Sequence, residues 1–190
     1  MNGNDIVDLK IAKIPLGIKG TRFLDKIFSS PEQEIIKNGR VGVWAIWAMK
    51  EAVYKAHHRR YNLPRSFDPK KIHVGIGDVT QNIVFANGEY LGYDYLGRGV
   101  ITSEYVHFTA TCFPQTQMFS EIFNSSSINI KTQLKLAISN KLNLETEEME
   151  IVKNNNFIPQ IRYGKYELNL PFSISHHGKF SAFSFQLINY

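Results

Sequence analysis

The chain has 190 residues, 43% of them hydrophobic and 13% aromatic. That is enough for one ordinary domain, or two small halves sharing a core, and too apolar for disorder. A formal charge of +5 and a pI near 9.2 favour an anionic partner. The basic residues are scattered, with His57-His58-Arg59-Arg60 the one tight cluster, which argues against a dedicated nucleic-acid groove. The lone Cys112 excludes an internal disulfide. With no basic-then-apolar leader and no apolar run of membrane length, the expectation is a cytoplasmic protein without a membrane partner.

Residues 3–9 read as a short strand carrying Asp5 and Asp8. A helix is expected over Arg22–Ile27, and Ser29-Ser30-Pro31-Glu32 is a helix start. Val41 to His58 is the strongest helical segment, because Val41, Trp44, Ala45, Ala48, Ala52 and Lys55 recur at helical spacing. From Lys71 the period shifts to two. Strands are expected at Ile72–Ile76 and Asn82–Phe85, then a hairpin turn at Asn87-Gly88, then strands at Tyr90–Tyr95 and Tyr105–Phe113. Ser125-Ser126-Ser127 breaks the pattern before a helix over Ile130–Leu142. Met149–Lys153, an Asn154-Asn155-Asn156 turn, Ile158–Arg162, Tyr166–Leu170 and a closing strand pair around His176-His177-Gly178 complete the chain.

The element order suggests a duplication, since a helix, a strand, an Asn-containing turn, a strand and paired strands follow Val41 and again follow Ile130. The expected fold is α+β. It has two pseudo-symmetric halves, each a long helix packed on a small antiparallel sheet, divided as residues 1–115 and 116–190 in one compact unit. A cleft between such halves is a common ligand site.

Three groups of residues carry possible chemistry. Asp5 follows Gly3-Asn4; a carboxylate at a strand end suits a hard cation such as Mg²⁺, and equally suits a turn. Glu51 and Lys55 lie four apart on the long helix and share a face, as a surface ion pair or as a half-buried functional one. Ser175 and His176 offer a hydroxyl and an imidazole for a phosphate, or a plain core or surface histidine. His176-His177 lacks any zinc constellation, and no G-x-S-x-G elbow supports a hydrolase.

Gly3-Asn4-Asp5-Ile6-Val7-Asp8-Leu9, then Arg22 to Phe28 with Glu32, then Met49-Lys50-Glu51-Ala52 with Lys55, and finally Ser173-Ile174-Ser175-His176, resemble the 4′-phosphopantetheinyl transferases. The first three segments most resemble the holo-acyl-carrier-protein synthase branch. The closing motif is equally similar to the larger, two-halved branch. The resemblance implies the 4′-phosphopantetheinyl transferase fold and transfer of the phosphopantetheine arm of coenzyme A to a carrier-protein serine, with release of adenosine 3′,5′-bisphosphate. It implies Mg²⁺ held by Asp5 and Glu51, with Glu51 also taking the serine proton. Lys55 would neutralise phosphate, and Ser175 and His176 would meet the 3′-phosphate region of the coenzyme.

Two departures stand out. The two-halved branch usually has an acid where this chain has Val7, and Asp8 should face the other side of a regular strand. Lys55 and His176 are also much further apart than in the small synthases, a gap the duplication would explain by placing one site inside a monomer. Lys10, Lys13 and Arg22 are candidate contacts for an acidic acyl or peptidyl carrier, such as that of fatty acid biosynthesis. The rivals are a non-catalytic basic protein binding RNA or polyanions through Tyr90, Tyr93, Tyr95 and Arg98, and a degenerate transferase that binds a carrier without modifying it.

Overall fold

Strand β1 (Asn2–Asp8) opens the chain and holds Asp5 in its middle rather than at its end. The structure is a computed structural model, described for residues 1–13, 18–39, 41–113, 117–124 and 128–187; the Ser125-Ser126-Ser127 break lies outside these residues. Helix α1 (Ile18–Ile27) and helix α2 (Ser30–Lys37) follow. A capping box starts α2: Glu32 returns its carboxylate to the Ser29 amide at 2.8 Å.

Helix α3 (Val43–Tyr61) is buried on several sides. Ala45, Ala48 and Ala52, whose helical spacing marks it in the sequence, are almost wholly buried. Strands β2 (Ile72–Thr80), β3 (Ile83–Tyr90), β4 (Tyr93–Ile101) and β5 (Tyr105–Thr111) complete an antiparallel sheet ordered β1-β5-β4-β3-β2. This sheet and α3 share one apolar core.

The expected turn at Asn87-Gly88 does not exist, because β3 runs straight through it. The glycine instead makes room for α3, since a Cβ there would lie 2.6 Å from the Val53 side chain. The true turn is Leu91-Gly92, where φ is +53° and +80°. Both central residues of that turn are left-handed, as a type I′ hairpin demands.

The sequence reading missed β6 (Gln117–Asn124). Helix α4 (Ile130–Leu142) then precedes β7 (Met149–Lys153), β8 (Pro159–Tyr163), β9 (Tyr166–Leu168), β10 (Phe172–His177) and β11 (Phe180–Leu187). These make two antiparallel sheets, β10-β11-β6 and β7-β8-β9, around a second core with α4. The protein is thus α+β with antiparallel sheets. Among the described residues no helix is long and apolar enough to cross a membrane.

Two features tie α4 to α3 in kind. Lys50 on α3 donates to the carbonyls of Pro69 and Ile72, where β2 begins. Lys135 on α4 donates to those of Thr146 and Met149, where β7 begins. Each helix is therefore pinned to its following strand by one lysine.

Strand β1 joins the two parts of the molecule. One face lies on α3, so closely that a Cβ on Gly3 would sit 2.1 Å from the Ala52 carbonyl oxygen. On the other side Ile6 packs with Phe180 and Ala182 of β11. The outward amides of β1 at Asn4 and Asp8 are met by side chains of β10, Ser173 Oγ at 3.0 Å and His177 Nδ1 at 2.9 Å. An edge strand is thereby closed without a backbone ladder.

Candidate active site

Asp5 projects from β1 toward α3, where Glu51 and Lys55 stand one turn apart. The Lys55 ammonium lies 2.7 Å from Asp5 Oδ1 and 4.0 Å from Glu51 Oε2, and donates to the Asn4 carbonyl at 3.0 Å. The close approach at Gly3 brings these groups within reach, since any larger residue would push the strand off the helix. Burial raises the pKa of Asp5, against the pull of Lys55. Burial also raises that of Glu51, with Lys55 opposing and the charge on Asp5 adding to the rise.

Asp8 takes no part in this cluster. It faces the other way, and its carboxylate accepts from the amides of Lys10 at 2.9 Å and Lys179 at 3.2 Å. Val7, on the Asp5 side of the strand, is buried in the core. Among the described residues no group of three or more His, Cys, Asp and Glu side chains is placed to hold a metal. The donor set at this point is two carboxylates.

Glu51 and Lys55 open onto a cleft of about 610 Å³ between α3 and the second part of the chain. Its cations are Lys55, Arg59 and Arg65 on one side and Lys131 and Lys153 on the other, against the single acid Glu51. Tyr54, Phe67, Ile151 and Phe157 supply apolar wall. The Asn-rich turn is latched across the cleft's rim. Asn154 and Asn156 donate to Asn62, at the end of α3, at 2.9 and 2.6 Å. They hold Phe157 with φ +61° and its ring under the Arg65 guanidinium, 5.5 Å from its centroid. A left-handed bulky residue is a strained one.

The Ser-Ile-Ser-His-His motif divides by strand alternation. Ser173, Ser175 and His177 turn to β1, while Ile174 and His176 turn the other way. Ser173 and Ile174 line the cleft. Ser175 is buried with no partner for its Oγ among the described residues, and His176 is exposed with Nδ1 3.0 Å from Ser181 Oγ. Neither Ser175 nor His176 is among the cleft's lining residues.

So Glu51 and Lys55 share a face as their spacing predicts and Asp5 meets them as the resemblance implies, while Arg59, Arg65, Lys131 and Lys153 were missed. For Arg59 a signal existed, because it continues the Glu51–Lys55 face by one more turn. Of the proposed RNA platform, Tyr90 and Tyr95 are buried, packed against His57 with the Tyr95 hydroxyl 2.8 Å from its Nδ1. Those two rings offer no exposed stacking surface. Lys10 is exposed and pairs with Glu104 at 3.5 Å; Lys13 and Arg22 are exposed as well.

A family model, described as the 4′-phosphopantetheinyl transferase superfamily, matches residues 2–110, more than half of the chain. No curated protein and no solved structure matches it.

Proposed function

Because the chain belongs to the 4′-phosphopantetheinyl transferase superfamily, we propose that it is a holo-acyl-carrier-protein synthase type of enzyme. It transfers the phosphopantetheine arm of coenzyme A to a serine of an apo acyl or peptidyl carrier protein. The observation that carries this reading is the meeting of Asp5, Glu51 and Lys55 at one end of a cation-lined cleft.

The serine oxygen attacks the phosphorus that bears pantetheine, and a new P–O bond forms. The pyrophosphate P–O bond breaks, and adenosine 3′,5′-bisphosphate leaves with the electron pair. Glu51 accepts the serine proton, directly or through water. Burial raises its pKa, which makes its carboxylate a better proton acceptor than an exposed glutamate. Lys55 places a compact positive charge against the phosphates. Ser175 and His176, which the motif resemblance gives to the coenzyme, do not line the cleft and are assigned no contact with it.

Asp5 and Glu51 fit a magnesium ion. Both are oxygen donors whose burial penalises their charge, and Mg²⁺ accepts few protein carboxylates when substrate phosphate and water fill the rest. When bound there, the ion supplies charge neutralisation on the pyrophosphate as it separates. Val7 adds no third acid, and Asp8 stays in its own hydrogen bonds.

Residues 1–115 hold the carboxylates and residues 116–190 the opposite wall, so a cytoplasmic monomer has one competent site. A monodisperse trimer with sites between chains would sink that arrangement. The transfer itself is tested by intact mass of apo carrier proteins incubated with the protein, coenzyme A and Mg²⁺. The expected result is a gain of one phosphopantetheine, lost with Glu51→Ala and on chelation. No gain on any carrier, with no binding of coenzyme A, defeats the assignment.

A further inference from the structure

Resting on the transferase reading above, we propose that Arg59 is the residue by which the cleft recognises the 3′-phosphate of coenzyme A. Glu51, Lys55 and Arg59 follow at four-residue intervals on α3, so they share a face and stand about 6 Å apart along the axis. The first two meet Asp5. The third reaches both parts of the chain: its guanidinium lies over the Phe172 ring, 5.7 Å from the centroid, and donates to the Asn2 carbonyl of β1 at 2.5 Å.

Among the described residues Arg59 pairs with no acid, and its Nε makes no hydrogen bond. No carboxylate there forms an ion pair with Arg59, Arg65, Lys131 or Lys153. Burial lowers the Arg59 pKa to about 10, which leaves it charged at neutral pH. A half-buried cation kept without a carboxylate, with three more unpaired cations on the same cleft, costs stability unless an anion enters among them.

The coenzyme carries three phosphates. Two form the pyrophosphate, which belongs at Glu51 and Lys55. The ester phosphate at the ribose 3′ position remains, and one helical turn further on stands a planar fork that binds phosphate oxygens in pairs. The motif resemblance gives that phosphate to Ser175 and His176, but the cations are not there. Strand β10 runs from Phe172, against Arg59, to His177, against Asp8, which puts His176 toward the far end.

The test is titration calorimetry of coenzyme A and 3′-dephospho-coenzyme A, with Mg²⁺, on the wild type, Arg59→Met, Arg59→Lys and His176→Ala. The wild type should prefer coenzyme A by at least about tenfold. Arg59→Met should weaken coenzyme A about 10- to 100-fold and leave the dephospho form within about threefold, erasing the preference. Arg59→Lys should fall between, and His176→Ala should keep the preference.

An Arg59→Met protein that retains the preference, or loses both ligands equally, overturns the inference. So does a wild type without preference, or loss of preference in His176→Ala alone. Should Arg59→Met give no cooperative melt, Arg59→Lys decides by the same ratio, whose retention overturns the inference. A wild type that binds neither coenzyme defeats the transferase reading itself, and this inference falls with it.

Discussion

Lys50 and Lys55 stand five residues apart on one helix, and each meets a carboxylate at 2.7 Å. They are not equivalent. The Lys50 ammonium is fully enclosed, and its three protons are taken by Glu32 and the carbonyls of Pro69 and Ile72. Glu32 in turn accepts from the amides of Ser29 and Val74. Nothing is left over, so the pair fixes α2, α3 and the start of β2 to one another. Around Lys55, two carboxylates share one ammonium, both are disfavoured by burial, and Glu51 and Lys55 open to a cleft. Burial alone does not mark function here; unfilled bonding capacity at a cleft does.

The largest expected effect separates the two pairs directly. Glu51→Gln should lower the rate of carrier modification about 10²- to 10⁴-fold while leaving the melting temperature nearly unchanged. Glu32→Gln should do the reverse, costing about 3–5 kcal/mol in chemical denaturation because it strands a buried ammonium. If Glu32→Gln proves as stable as the wild type, the closed pair is no anchor. The double change Glu32→Leu with Lys50→Met should recover most of that loss, since an apolar pair strands no charge.

Asp8 belongs to the closed kind, and the turn after the histidines keeps it so. Gly178 has φ +58°, and a Cβ there would lie 2.3 Å from Asp8 Oδ2. Gly178→Ala should cost about 2–3 kcal/mol in denaturant titrations, from the left-handed backbone and the clash together. A change below about 0.5 kcal/mol would mean that the hairpin docks elsewhere.

His107 is the open case within the core. It is buried on β5, its Nε2 has no partner among the described residues, and burial, with Lys55 nearby, lowers its pKa to about 4. The fold holds it neutral, whereas the unfolded chain protonates it near pH 6.5. Stability should therefore fall as pH drops from about 6.5 toward 4, by about 2 kcal/mol at pH 5. Melting curves of His107→Gln should show a smaller drop between pH 7 and 5; an identical drop assigns the acid sensitivity to other groups.

The sequence shows the open pair well and its surroundings poorly. Glu51 and Lys55 obey helical spacing, a local rule, and Asp5 is marked by Gly3, whose missing side chain lets the strand touch the helix. Asn87-Gly88 misled because its glycine serves close packing and not a turn, a purpose only the tertiary contact with Val53 discloses. Strand β6 pairs with β11, sixty-odd residues away, so no local pattern had to be strong. Arg59 sat in a cluster that charge counting treats as a solvated surface, and Phe157 lines the cleft from a turn latched to Asn62, a contact between distant parts of the sequence.

The ladder between β6 and β11 has one more consequence. Gln117 pairs with Leu187 and Asn124 with Phe180, so the two strands run fully antiparallel with their ends matched. Here a single polypeptide supplies both strands. The cleft wall that carries Ser173 and Ile174 of β10 therefore rests on β11, and a fragment ending before Phe180 lacks the strand on which that wall is built.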